Sequence, residues 1–249
     1  MRAHSTHQDR SYMETKETIG NIDSFETMGL VDGPGVRFVV FMQGCPLRCA
    51  YCHNPETWLD TPKIQMTASE LVKKILKYKV YFGEDGGVTF SGGEPLHQSK
   101  FLLEALKACK KENLHTCLDT SGFGDDYDEI LDYCDLVILD VKAIDAEKYK
   151  NLTGQAIEKY QKFLNKCQEK NKKLWLRQVI VPNYNDSVED ILKLKKYISN
   201  IKNVEKVELL PYHSMAKEKY KNLGIKYRLE EVEDMNKQKC KELEKLLNN

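Results

Sequence analysis

Val36-Arg37-Phe38-Val39-Val40-Phe41-Met42-Gln43-Gly44-Cys45-Pro46-Leu47-Arg48-Cys49-Ala50-Tyr51-Cys52-His53 runs from a β-type segment straight into a cysteine-rich loop. Val36 to Phe41 is β-branched and aromatic, the composition of a buried strand. Cys45, Cys49 and Cys52 follow with the spacing C-x3-C-x2-C. Three thiolates so close cannot complete the four-coordinate shell of a structural metal. They can hold three irons of a 4Fe–4S cube, which leaves the fourth iron open to another ligand.

Three other readings of the loop compete with that one. Zinc would need His53 as fourth ligand, but adjacent side chains rarely converge on one small ion, and no second C-x2-C is present. Cys49-Ala50-Tyr51-Cys52-His53 matches the C-x2-C-H attachment pattern of a covalent haem. Such attachment belongs to exported proteins, and the polar stretch Met1 to Thr18 lacks the apolar core of a signal peptide. Three unligated core thiols within eight residues would be an improbable coincidence. The other five cysteines, Cys109, Cys117, Cys134, Cys167 and Cys240, are scattered singly and read as small buried thiols.

Outward from the loop, strand and helix patterns alternate. Strands are expected at Val36–Phe41, Gly87–Phe90, His115–Leu118, Leu136–Leu139, Leu174–Val181 and Val204–Leu210. Helices are expected after the capping box Thr67-Ala68-Ser69-Glu70, over Ser99–Lys111, near Tyr127–Tyr133, over Ala156–Lys170, after Ser187 and over Glu230–Leu247. Six such units predict an α/β fold, a partial (β/α)6 barrel of parallel strands with outer helices. Polar residues gather where strands end, at Cys45, Ser91, Asp119, Asp140 and His213, and in such folds chemistry collects on that rim. Residues 1–18 read as a flexible extension and 19–249 as one domain.

The 249 residues are enough for one sizeable core, and 38 Lys+Arg balance 38 Asp+Glu. That neutrality argues against nucleic-acid binding, which needs surplus positive charge. No apolar run approaches the roughly 20 residues that span a bilayer. A cytoplasmic location is expected, with monomer as the default state.

Ser91-Gly92-Gly93-Glu94-Pro95 after the second expected strand, together with the cysteine motif at the end of the first, resembles the radical S-adenosylmethionine (SAM) family. The set Asp32-Gly33-Pro34-Gly35, Gln43-Gly44-Cys45, Cys117-Leu118-Asp119-Thr120-Ser121-Gly122-Phe123, Leu139-Asp140-Val141-Lys142 and Leu209-Leu210-Pro211-Tyr212-His213 narrows the resemblance to the glycyl-radical activases, in particular the family of pyruvate formate-lyase activating enzymes. The absence of cysteines between Cys52 and Ser91 argues against activases with additional clusters.

The resemblance implies one 4Fe–4S cluster on Cys45, Cys49 and Cys52, with SAM on the open iron. Reductive cleavage of SAM would give a 5′-deoxyadenosyl radical that takes a hydrogen atom from a partner glycine. It implies SAM contacts from Tyr51, Cys52, His53, Gly92, Gly93, Asp140, Val141, Lys142 and His213, and a monovalent-cation site at Asp119, Thr120 and Asp140. No catalytic side chain is implied beyond the cluster and SAM. Asp32-Gly33-Pro34-Gly35 would help receive the partner's glycine segment, and Arg177 is kept outside the firm set. The implied partner is pyruvate formate-lyase of anaerobic glucose metabolism, and the implied reductant is flavodoxin or a similar carrier. Another glycyl-radical enzyme as partner, or a non-catalytic Fe–S or zinc protein, is the alternative.

Overall fold

The computed structural model describes residues 17–59 and 61–248. Strands β1 (Ile19–Gly29), β2 (Arg37–Met42), β3 (Ile64–Thr67), β4 (Gly87–Gly92), β5 (His115–Thr120), β6 (Leu136–Asp140), β7 (Lys173–Ile180) and β8 (Val204–Pro211) form one sheet in the order β3-β1-β2-β4-β5-β6-β7-β8. From β2 to β8 every neighbouring pair is parallel. These are the six expected strands, and the sheet they form is open.

Two strands were not expected. β1 pairs antiparallel with β2, and β3 antiparallel with β1. β1 mixes polar and apolar residues, and only Gly20, Ile22 and Gly29 are buried, so it lacks the apolar run that marks β2. β3 has four residues and merges in sequence with the helix cap that follows it. The expected extension over 1–18 falls largely on residues 1–16, which lie outside the described residues. Thr18 is described, and its backbone N–H and hydroxyl both donate to Glu104.

Helices α1 (Ala68–Leu76), α2 (Ser99–Lys111), α3 (Asp128–Asp132), α4 (Ala146–Thr153), α5 (Glu158–Glu169), α6 (Val188–Ile198), α7 (Lys217–Asn222) and α8 (Lys237–Asn248) complete the chain. Thr67 and Glu70 form the reciprocal capping box read from the sequence. Ser187 accepts from the Asp190 amide at the start of α6. α8 begins at Lys237 instead of Glu230. Asn236 accepts from the amides of Gln238 and Lys239 there, while the Met235 amide is bound to the Tyr212 carbonyl, holding the preceding residues out of the helix. α4 was missed altogether, although Asp145 caps it and Gly154 ends it in the left-handed conformation.

The outer helices bury Leu71, Ile75, Phe101, Leu102, Leu106, Phe163 and Ile191 against the sheet. A second, small apolar cluster of Cys117, Leu136 and Ile138, with Trp175 against it, fills the lower inner face. Side chains two apart share a face of a strand, so going up β6 from Leu136 through Ile138 leads to Asp140. Arg37 closes the bottom. It is fully buried and donates to Thr89 Oγ1 at 3.0 Å, to the Val88 carbonyl and, more weakly, to the His115 carbonyl. Arg37 and this cluster thereby fill the lower inner face of the open sheet, below the strand ends that carry Asp119 and Asp140.

The Thr67 cap can be tested alone. Thr67→Ala should cost about 1 kcal/mol of unfolding free energy in urea titration, with an unchanged m-value because no further surface is exposed.

Candidate active site

The cysteine loop has no helix or strand of its own, and neighbouring backbone sets its shape. The Gly93 amide bonds the Met42 carbonyl at 2.9 Å, and the Glu94 amide bonds the Gly44 carbonyl at 2.9 Å. The end of β4 is thus clamped to the start of the loop. The two glycines permit this approach. Gly92 has φ +111, and a Cβ there would lie 2.3 Å from the Met42 nitrogen; one on Gly93 would lie 2.3 Å from the Gly44 oxygen. On the other side, the Arg48 and Ala50 amides bond the Thr153 and Leu152 carbonyls at the end of α4. The Gly44 amide and the Gln43 side chain tie the loop to the short 3-10 turn Pro55–Trp58 through the Thr57, Glu56 and Leu59 carbonyls.

These constraints bring Cys45, Cys49 and Cys52 into a cleft of about 290 Å³. Tyr51, His53, Gly92, Gly93, Asp119, Thr120, Asp140 and Lys142 line it as well. All eight cysteines are unpaired. Cys49 is buried and Cys45 and Cys52 are half-buried. Burial pushes the Cys49 thiol up to about 11, opposed by Lys142, and raises the other two thiols as well. Bare thiolates are therefore disfavoured here without added positive charge.

Two of the expected residues lie outside the cleft lining. Val141 is buried, with its amide bonded to the Arg177 carbonyl. The His213 ring stacks on His53 with centroids 3.9 Å apart, and His53 Nε2 meets the His213 carbonyl at 3.1 Å. His213 Nδ1 is buried and has no partner among the described residues. Burial and the neighbouring His213 hold His53 below its usual pKa, so it favours the neutral ring.

Charge is arranged in pairs around the rim. Lys142 Nζ donates to Asp140 at 2.6 Å. Burial opposes the Lys142 ammonium, but Asp140, Tyr51 and Cys49 outweigh it and hold its pKa well above the ordinary lysine value. Arg177, on β7, also lines the cleft; it bonds Glu208 at 3.1 Å, lies 3.9 Å from Asp119 and donates to the Val31 carbonyl. Burial pushes the Asp119 carboxyl up to about 6, with Arg177 pulling it down. Asp119 and Asp140 face the cleft, while the Thr120 hydroxyl turns away to Glu94 at 2.5 Å. Among the described residues no group of three or more His, Cys, Asp or Glu is placed to hold a single metal ion.

The loop Asp32-Gly33-Pro34-Gly35 is held by Arg177 donating to the Val31 carbonyl, Thr89 Oγ1 donating to the Asp32 carbonyl at 2.7 Å and Arg37 donating to the Pro34 carbonyl at 3.4 Å. Leu30 and Val31, just ahead of it, are 73% and 75% exposed.

Two roles were not read from the sequence. Glu94 is fully buried and accepts from the Thr120 hydroxyl, the Ser121 amide and hydroxyl, and the Leu96 amide. It joins the ends of β4 and β5, and its place inside Gly92-Gly93-Glu94-Pro95 was the available signal. Trp58 lines the cleft between the Arg48 guanidinium, 5.1 Å from its ring, and the Tyr220 ring at 5.6 Å. Tyr220 donates to the Cys52 carbonyl at 3.1 Å, from a helix 168 residues away that no local pattern could connect to the loop.

Residues 39–194 match the Radical SAM superfamily. The pyruvate formate-lyase-activating enzyme of Clostridium pasteurianum is 52% identical over 231 residues, covering 92% of this chain and 97% of the relative. That of Staphylococcus epidermidis is 45% identical over 239 residues, covering 92% and 95%. Among solved structures, a radical SAM methyltransferase from Sphaerobacter thermophilus superposes with a TM-score of 0.61 at 15% identity, over 85% of this chain and 63% of that one. A domain of a pyruvate-formate lyase-activating enzyme from Bacteroides vulgatus superposes with a TM-score of 0.53 at 23% identity, over 66% and 93%. These two likenesses are likenesses of fold.

The Glu94 junction predicts that Glu94→Gln, nearly isosteric, sets an amide against N–H and O–H donors. It should lower unfolding free energy by about 1–3 kcal/mol, read by thermal unfolding of the metal-free chain.

Proposed function

The chain belongs to the radical SAM superfamily and, within it, to the pyruvate formate-lyase-activating enzymes, and on that basis we propose that it activates pyruvate formate-lyase under anaerobic conditions, using one 4Fe–4S cluster and SAM. The observation that carries this is the convergence of three unpaired cysteines with Gly92, Gly93, Asp140 and Lys142 in one cleft at the C-terminal ends of parallel strands.

The residues fit the cluster. Cys45, Cys49 and Cys52 would hold it, and iron would supply the positive charge that these buried thiols lack. His53 Nε2 is engaged by the His213 carbonyl and its ring is stacked on His213, which supports a cluster with an open iron over a zinc site. Held by these three cysteines, a 4Fe–4S cluster would supply the electron for reductive cleavage of SAM to methionine and a 5′-deoxyadenosyl radical, which would take a hydrogen atom from one glycine of the partner.

The chain's own residues bind, orient and shield. Asp140 and Lys142 offer one anionic and one cationic group to the zwitterionic end of SAM. The unpartnered His213 Nδ1 suits a ribose hydroxyl, with His53 and Tyr51 against the adenine end. Gly92 and Gly93 keep backbone close to the ammonium, and Val141 sets the spacing between Asp140 and Lys142. Asp119 and Asp140 supply the carboxylates of the proposed monovalent-cation site, and Thr120, its hydroxyl held by Glu94, adjoins them. The Asp32-Gly33-Pro34-Gly35 loop, anchored by Arg177 and Thr89, receives the partner's glycine segment.

In the same proposal residues 19–249 are the catalytic unit and 1–18 an extension, the chain works as a cytoplasmic monomer, and flavodoxin or a similar carrier delivers the electron. Among the described residues no helix is long and apolar enough to cross a membrane.

Anaerobic reconstitution with iron and sulfide, followed by reductant and SAM, should yield 5′-deoxyadenosine, and added pyruvate formate-lyase should show the glycyl doublet in electron paramagnetic resonance. Cys49→Ala should lose the 4Fe–4S absorbance and both products. Nucleoside formation by the wild type no higher than by Cys49→Ala rejects the proposal.

A further inference from the structure

Arg37, at the start of β2, is fully buried against the Asp32-Gly33-Pro34-Gly35 loop. A Cβ on Gly33 would lie 3.1 Å from the Cys117 sulfur and 3.2 Å from Arg37 Nε, so the loop rests directly on these two side chains. Arg37 reaches the loop by two routes. Its Nη1 donates to the Pro34 carbonyl at 3.4 Å. Its Nε donates to Thr89 Oγ1 at 3.0 Å, and that hydroxyl donates in turn to the Asp32 carbonyl at 2.7 Å. Asp32 and Pro34 are thus both tied to one guanidinium.

A histidine holds the Nη1 corner of that guanidinium. Among the described residues Nη1 has its nearest acceptor in His115 Nδ1, at 3.2 Å, with the Pro34 and Asp85 carbonyls at 3.4 and 3.5 Å. Arginine carries donors and no acceptor. Nδ1 therefore accepts, and the neutral ring keeps its proton on Nε2. Arg37 faces the ring from β2, Cys117 from β5 with its sulfur 3.8 Å from Nδ1, Lys110 from α2, Asp135 from the turn before β6 and Lys173 from β7. The Asp135 carboxylate is already bonded by Lys110 and by the Thr116 amide, each at 2.8 Å. Asp85, ahead of β4, is exposed. Burial and the Arg37 charge hold the imidazole below its usual pKa. A proton on Nδ1 would turn the acceptor into a donor and set a cation against the guanidinium.

We propose that His115, by accepting from Arg37, fixes the loop that receives the partner's glycine segment and so governs how tightly the partner is engaged. The role rests on the assignment of that loop made above. His115 is a positioning residue: it acts on Asp32 and Pro34 through Arg37 and contributes nothing to the lining of the cysteine cleft.

Two variants separate the acceptor from the ring that carries it. His115→Leu removes the acceptor, whereas His115→Asn places Oδ1 where the imidazole has Nδ1. In cluster-loaded His115→Leu, 5′-deoxyadenosine formation from SAM without partner should match wild type. The concentration of pyruvate formate-lyase giving half-maximal growth of the glycyl doublet should rise about fivefold to tenfold, the scale of one lost hydrogen bond to a charged group. Amides of residues 30–36 should exchange with deuterium about tenfold faster, and those of the cysteine loop at the wild-type rate. His115→Asn should return both readouts close to wild type. As pH falls from about 7.5 to about 5.5, across the histidine range, the half-maximal partner concentration should rise further in wild type than in His115→Asn, which cannot titrate at that position. This comparison decides the matter even where His115→Leu does not fold. Unchanged exchange of residues 30–36 in His115→Leu, a parallel loss of SAM cleavage, or the same acid dependence in wild type and His115→Asn overturns the role of His115. Faster exchange with an unchanged partner requirement overturns the assignment of the loop as receiver, and this inference with it. A wild type that forms no glycyl doublet on pyruvate formate-lyase overturns the proposed activation itself.

Discussion

The clamp between the end of β4 and the start of the cysteine loop is the constraint on which the site depends. Two backbone bonds, Gly93 to Met42 and Glu94 to Gly44, put the glycine pair and the cysteines at one strand end. Parallel pairing of β2 with β4 sets their register, from Arg37 opposite Gly87 to Met42 opposite Gly92. An irregular loop has no periodic hydrogen bonding to resist distortion, so its shape comes from outside. Here it comes from β4 on one side, α4 on another and the turn Pro55–Trp58 on a third.

The electrostatics divide between the filled lower inner face and the strand ends above it. At the bottom, Arg37 spends its donors on carbonyls and a threonine hydroxyl, and burial lowers its pKa. At the top, opposite charges sit beside one another, Lys142 with Asp140 and Arg177 with Glu208 and Asp119. Each pair holds a buried charge in place without a bound ligand. Glu94 has no cation against it in that network and is kept by four donors instead.

What could be read in advance was whatever the local chain encodes. The six parallel strands, the Thr67 and Ser187 caps and the C-x3-C-x2-C loop all rest on residues within a few positions of one another. Asp140 and Lys142 were legible through the resemblance carried by Leu139-Asp140-Val141-Lys142, whereas their ion pair just past the end of β6 needed the folded chain. β1 was not legible, because half-burial dilutes its apolar pattern. The Trp58–Tyr220 contact and the docking of α4 under the loop were invisible for a different reason: they join segments far apart in the chain, and packing alone selects them. Arg177 carried a hint from its position on β7, but its bond to the Val31 carbonyl needed the folded chain.

The sheet stops at β8 without meeting β3, so it has two margins where a closed barrel has none. At one of them β8 alternates charge and ends in proline, with Glu205 and Lys206 exposed and Pro211 at its close. Such residues repel an incoming strand. The sheet thus keeps a free border without offering it as a template for a further strand.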